Sequence, residues 1–376
     1  MTKDLIAYLL RPKFIVPFVL VLLVLAPYRE LLVGAAIPIP DDIFISDLAD
    51  GEFPVRTEIG RLLRSGESPF WLKGIFTGAL GGLDPFSAVF FSFLPPSLAL
   101  GWMISFLLSV AALGTYVLAR QLGATRLGSF MSGFIFPWSG FFVCQLRHLS
   151  IIGVVALFPI ALFCLEKAAA QSPICLEAEK NRICAKKSFL WMLAFSLLFG
   201  IQILAGFPQS AYISGLVYSA LIIAHAAKLF FLDQKGSDLR RRLLTSAALV
   251  AGFAFAVFVS ALIGMISILP LKELGGFSDR SAEASYEWAT HFNYWGRNVL
   301  SFIVPYINGD ISDLSYKGDS IFWEDYGYVG LITLLFSVVA LVKKARCFPV
   351  VFWGLGTVVV YMLVLGKITP VDRIAF

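Results

Sequence analysis

The stretch Pro38–Trp71, PIPDDIFISDLADGEFPVRTEIGRLLRSGESPFW, is the first long polar interruption in a very apolar chain. It gathers Asp41, Asp42, Asp47, Asp50, Glu52, Glu58 and Glu67 just after the first hydrophobic run. Its second half has a helical period. Val55, Ile59, Leu62 and Leu63 fall at i, i+4, i+7 and i+8, while Arg56, Glu58, Arg61 and Arg64 fall elsewhere. The spacing predicts a short amphipathic helix that lies in a membrane interface rather than crossing it.

The surrounding chain explains why a membrane enters at all. Its 376 residues are 58% hydrophobic and only 15% charged, with a mean hydropathy of +0.81. That composition excludes an ordinary soluble domain. Several runs approach the roughly 20 apolar residues needed to cross about 30 Å of hydrocarbon. The runs are continuous, whereas barrel strands would be short and alternating. The fold class is therefore all-α, a polytopic membrane helix bundle with about nine transmembrane helices. The spans fall at about 14–28, 97–119, 127–146, 150–166, 188–207, 210–227, 244–269, 326–342 and 348–366. Residues 1–376 form a single transmembrane domain, with a first outside loop at about 29–96 and a second at about 271–323. The segment from Trp71 to Pro96 offers a second interfacial or re-entrant piece. A cleaved signal peptide ending near Gly34-Ala35-Ala36 is the competing reading of the first run, and it leaves the acidic loop on the same side.

Charge sets the orientation. With the N-terminus in the cytoplasm, the cytoplasmic segments hold 18 of the 30 basic residues and 6 of the 25 acids. The opposite face holds 12 bases and 19 acids. Every short loop then obeys the positive-inside rule. The net charge of +5 is a difference between two opposed faces, not a nucleic-acid signature. The basic side suits anionic lipid head groups. Cys144, Cys164, Cys175, Cys184 and Cys347 are odd in number and scattered, without zinc-site spacing, so neither a disulfide framework nor a structural metal is indicated.

Several passages, in order over most of the chain, resemble the YfhO family of bacterial membrane proteins within the GT-C class of glycosyltransferases. They are Ser46-Asp47-Leu48, Phe53-Pro54-Val55-Arg56 and Leu63-Arg64-Ser65-Gly66-Glu67-Ser68-Pro69-Phe70-Trp71. After these come His148, Gly206-Phe207-Pro208-Gln209, Pro270-Leu271-Lys272-Glu273, Ser278-Asp279-Arg280 and Glu324-Asp325-Tyr326-Gly327-Tyr328-Val329-Gly330. The departures are Leu72-Lys73 in place of Asn-Pro, Ala79-Leu80 after Gly78 with no nearby proline, and Phe207 in place of a histidine. The family also continues into further spans beyond Thr369-Pro370, so the resemblance implies a C-terminal truncation.

The resemblance implies a GT-C-like fold in the bacterial cytoplasmic (inner) membrane and a sugar transfer on its outer face. The sugar would pass from a polyprenyl-phosphate carrier to a surface glycan, lipid or protein acceptor. Asp47 is the candidate catalytic carboxylate, with Asp41 and Asp42 as alternatives; a base must come within hydrogen-bond reach of the acceptor hydroxyl. The substrate-binding candidates are Arg56, His148, Gln209, Arg280 and Glu324. Guanidinium groups suit phosphate, and a divalent metal held by outside carboxylates is the substitute. Each has a plainer reading. Asp47 is a loop acid or helix cap, Arg56 snorkels from an interfacial helix, and His148 caps a helix. Gln209 is a turn residue, Arg280 an ion-pair partner, and Glu324 with Asp325 a simple acidic pair. A transporter or flippase of lipid-linked sugars is the rival function, as is a non-catalytic assembly subunit. Transporters place ionisable groups near the bilayer midplane, and the middles of the nine runs hold none.

Overall fold

Runs of apolar residues long enough to cross a bilayer fold into helices throughout. The computed structural model describes residues 12–36, 38, 46–74, 79–172, 178–233, 238–277, 294, 296–311, 313–318, 321–366 and 369. Arg280, Asp41 and Asp42 lie outside these residues.

The helices are α1 (Pro12–Leu25), α2 (Phe53–Arg64), α3 (Pro85–Phe93), α4 (Pro96–Gln121), α5 (Arg126–Ile135), α6 (Gly140–Gln145) and α7 (Leu149–Ala170). After them come α8 (Ala178–Leu204), α9 (Pro208–Lys228), α10 (Leu239–Gly275), α11 (Phe322–Asp325), α12 (Leu331–Lys343) and α13 (Phe348–Val364). The described sheet structure is a two-residue antiparallel hairpin, β1 (Trp71–Leu72) with β2 (Ala79–Leu80), Trp71 opposite Leu80. Among the described residues, seven helical segments have the length and composition of membrane spans: 15–32, 96–121, 126–145, 149–170, 183–204, 208–232 and 239–275. Two shorter apolar helices, α12 with 13 residues and α13 with 17, stand where the eighth and ninth runs are read. The protein is an all-α, multi-pass membrane protein.

Packing divides the chain into two units. The first holds residues 1–38, 51–134 and 148–269. Its centre is α4 against α7, with α8 on the other side of α7. Small residues set these approaches, as membrane packing requires. A Cβ at Gly114 of α4 would lie 3.1 Å from the Ile160 nitrogen of α7. Gly200 of α8 faces Ile263 of α10, and Gly264 of α10 faces Ile203 of α8. Inside the bundle Gln202 donates to the Val154 carbonyl at 2.7 Å and accepts from the Tyr218 hydroxyl at 3.0 Å.

At the end of this bundle where α7 finishes, Ser188 donates to the Ala168 carbonyl and Ser246 to the Ala226 carbonyl, each at 3.0 Å. There too His225 Nε2 and Glu166 Oε2 stand 3.1 Å apart, one turn from the end of α7. The opposite end carries α2, α3 and the start of α7.

The second unit holds residues 39–50, 135–147 and 270–376. In it the Gly140 N–H donates to the Tyr328 carbonyl at 2.7 Å. Helix α12 starts at Leu331, five residues later than the apolar run suggests. Gly330 at its N-cap has φ +88°, a left-handed conformation that favours glycine and breaks the helix there. Helices α12 and α13 bury none of their residues within the protein, so their apolar surface is left for lipid.

Candidate functional site

The site grows from the acidic loop. Asp47 opens a continuous helical run that passes through a π-helical turn, Leu48–Glu52, into α2. Such turns are uncommon and recur at functional sites. The apolar stripe of α2 does not face a bilayer as the periodicity suggests. Ile59 and Leu62 are buried against Leu72 of β1, flanked by Val55 and Leu63. The interfacial reading of this helix is thus corrected: the hairpin, invisible to the periodicity, covers the stripe.

The second correction concerns Arg56. Sequence periodicity puts it on the polar side, yet its relative exposure is 4%. All five guanidinium N–H groups have protein acceptors. Nε and Nη2 donate to Glu52 Oε2 at 2.9 and 2.6 Å. Nη1 pairs with Asp84 Oδ2 and donates to Ser87 Oγ at 2.8 Å. Nη2 also reaches Ser150 Oγ at 3.0 Å. Burial alone would lower the pKa of this group, but the carboxylates of Asp84 and Glu52 outweigh it and hold the arginine above its ordinary value. Arg56 is fully committed inside the protein, with no donor left over for a lipid phosphate.

Two carboxylates around one guanidinium carry a net charge of −1, and helix ends absorb the excess. Asp84 caps α3, accepting from the N–H groups of Phe86 at 3.3 Å and Ser87 at 2.9 Å. Glu52 Oε1 accepts from the Ser150 N–H at 3.2 Å, in the first turn of α7. Both acids therefore sit at positive helix ends. The cluster ties α2, α3 and α7 into one body.

Its depth follows from neighbouring contacts. Phe86 lies between Phe106 of α4 (ring centroids 6.4 Å) and Gly153 of α7. Phe106 is ten residues into α4, so the Ser150 level is recessed about 10 Å from the start of that helix. Charged groups thus enter the mouth of the bundle from a loop, although the spans contribute none of them.

The other sequence candidates are dispersed. Asp47 is exposed at the start of its helical run, and His148 is half-buried at the N-cap position of α7, two residues from Ser150. Gln209 is exposed in the first turn of α9. Glu324 is exposed, whereas its neighbour Asp325 is buried and accepts from the Tyr316 hydroxyl at 2.5 Å. The two neighbouring acids thus differ in burial. Among the described residues no group of three or more His, Cys, Asp or Glu is gathered for a metal.

Sequence reasoning missed Asp84, Ser87 and Ser150. Asp84-Pro85 is a legible helix start, but nothing in the spacing links it to Arg56. It also passed over Arg147 in the second unit. That side chain is 3% exposed, with its guanidinium carbon 3.7 Å from the ring centroid of Trp323. Gln145 Nε2 donates to the Trp323 carbonyl at 3.3 Å, and Ser301 Oγ to the Asp325 carbonyl at 3.1 Å. Comparison with protein-family models, curated proteins and solved structures returned no match.

Proposed function

We propose that this protein is a glycosyltransferase of the bacterial cytoplasmic membrane, with its N-terminus in the cytoplasm. It moves a sugar from a polyprenyl-phosphate carrier to a cell-surface acceptor on the outer face. One observation carries the reading: five and nine residues after the exposed Asp47 in the chain, Glu52 and Arg56 are fixed in the first unit by their mutual ion pair and by Ser150. A carboxylate needs such support to act as a base with fixed geometry. The acidic balance of the same loop face and the GT-C-like order of motifs support the assignment. Phosphate recognition passes from Arg56 to other donors, since Arg56 is saturated.

The recessed Glu52–Arg56–Asp84 cluster favours one second reading, a transporter or flippase for the lipid-linked sugar, because charged groups inside a bundle mouth suit a translocation path. Replacing Asp47 by Asn in cells, at matched protein level, separates the two. The transferase reading expects surface glycans to fall to the level of a deletion strain, with carrier-linked sugar accumulating in the outer leaflet. Glycans unchanged in Asp47→Asn remove Asp47 from catalysis. Carrier-linked sugar accumulating in the inner leaflet of the deletion strain replaces the transferase by a flippase.

A further inference from the structure

Helix α3 is amphipathic in an unusual sense. Phe86 and Phe91 are buried, while Val89 and Phe93, four residues apart, are 57% and 83% exposed. The helix is joined to α4 by Leu94 and Pro95 alone, so Phe93 stands beside the start of α4. Phe90 and Phe86 reach Phe106, with ring centroids 5.6 and 6.4 Å away. Phe106 lies ten residues, about 15 Å, further along α4 and is itself 44% exposed. An apolar row therefore runs from the α3–α4 turn to Phe106 on the side of the bundle.

A cation marks the top of this row. Gly60 lets α2 approach α3 so closely that a Cβ there would come within 2.6 Å of the Phe91 carbonyl carbon. That approach brings Arg64, one turn later, to the end of α3, where its Nη1 donates to the Phe91 carbonyl at 2.6 Å. Arg64 is exposed, and its other N–H groups meet no described acceptor. The nearby charges on α2 and the hairpin are already opposed: Arg61 by Glu58 and Glu67, and Lys73 by Glu67.

We propose that Arg64, Val89, Phe93 and Phe106 form a docking site for one anionic phospholipid. The phosphodiester sits on the Arg64 guanidinium, and one acyl chain runs down the row. Charge complementarity selects the occupant. A single guanidinium held by a helix end matches the single negative charge of a phosphodiester. A phosphate monoester carries about −1.5 to −2 and calls for a second cation. The site is independent of the transferase reading and of Asp47.

The test is native mass spectrometry of the full chain released from nanodiscs of phosphatidylcholine containing a minor share of phosphatidylglycerol or of a polyprenyl monophosphate. Wild type should retain phosphatidylglycerol over phosphatidylcholine. Arg64→Gln, whose amide can still donate to the Phe91 carbonyl, should weaken that retention about tenfold, and Arg64→Lys should keep most of it. The Val89→Ser/Phe93→Ser double variant leaves Arg64 in place and should also weaken it. Thermal melting in pure phosphatidylcholine confirms that each variant is folded. Equal retention by folded Arg64→Gln and wild type overturns the site. So does stronger Arg64-dependent retention of the polyprenyl monophosphate than of phosphatidylglycerol, which would make the row a carrier-lipid site.

Discussion

Two arginines, each at least 96% buried, show two ways of placing a guanidinium inside this protein. In the first unit Arg56 has an oxygen acceptor for every N–H, two of the acceptor groups being carboxylates at helix N-termini. In the second unit Arg147 lies on the face of Trp323. The first is an ion cluster that joins three helices; the second includes a cation–π contact, worth about 2 kcal/mol or more when desolvated. The difference teaches where the acidic loop is fixed. The segment after Asp47 is held by charge in a low-dielectric setting, where removing one member leaves another uncompensated.

Substitutions can break this contrast in graded fashion. Arg56→Met should have the largest effect, about 3–5 kcal/mol of stability, because it strands Glu52 and Asp84 together. Arg56→Lys should recover little, since an ammonium cannot reproduce the fork. Thermal or denaturant unfolding in micelles reads both. Asp84→Asn keeps the cap on α3, because asparagine caps as well as aspartate, and isolates the lost charge. A fall of about 1.5–3 kcal/mol is expected.

Gly60→Ala leaves every polar group in place but drives a methyl into the Phe91 backbone. Overpacking of this kind costs about 1–3 kcal/mol, and the same melts should show it. Trp323→Leu removes the ring under Arg147 and should cost clearly less than Arg56→Met. A larger loss at Trp323 would invert the comparison. Asp47→Asn is the smallest structural change, within about 0.5 kcal/mol of wild type, and a larger loss would make Asp47 a structural residue.

The legible part of the fold was the part set by composition and by local rules. Apolar runs such as those at about 150–166 and 244–269 announce spans because lipid leaves the backbone no other partner than its own helix. Asp84-Pro85 announces a helix start for the same local reason. The cluster itself was not legible, because Arg56 finds Asp84 twenty-eight and Ser150 ninety-four residues away. The amphipathic pattern of α2 was real, but periodicity reports only that a face is apolar. It cannot say whether lipid or the Leu72 hairpin covers it. Glu324 and Asp325 were read as a pair because they are adjacent, while the fold leaves the first exposed and buries the second.

The account rests on the ion cluster that fastens the start of α2 to α3 and α7. A double-mutant cycle over Arg56→Met and Asp84→Leu, read as unfolding free energies in the same micelles, tests it most directly. The account predicts a coupling of about 2 kcal/mol or more, at the upper part of the range for contacting residues. The double variant should also be more stable than Arg56→Met alone. Additive losses, with no coupling between the two positions, would contradict it.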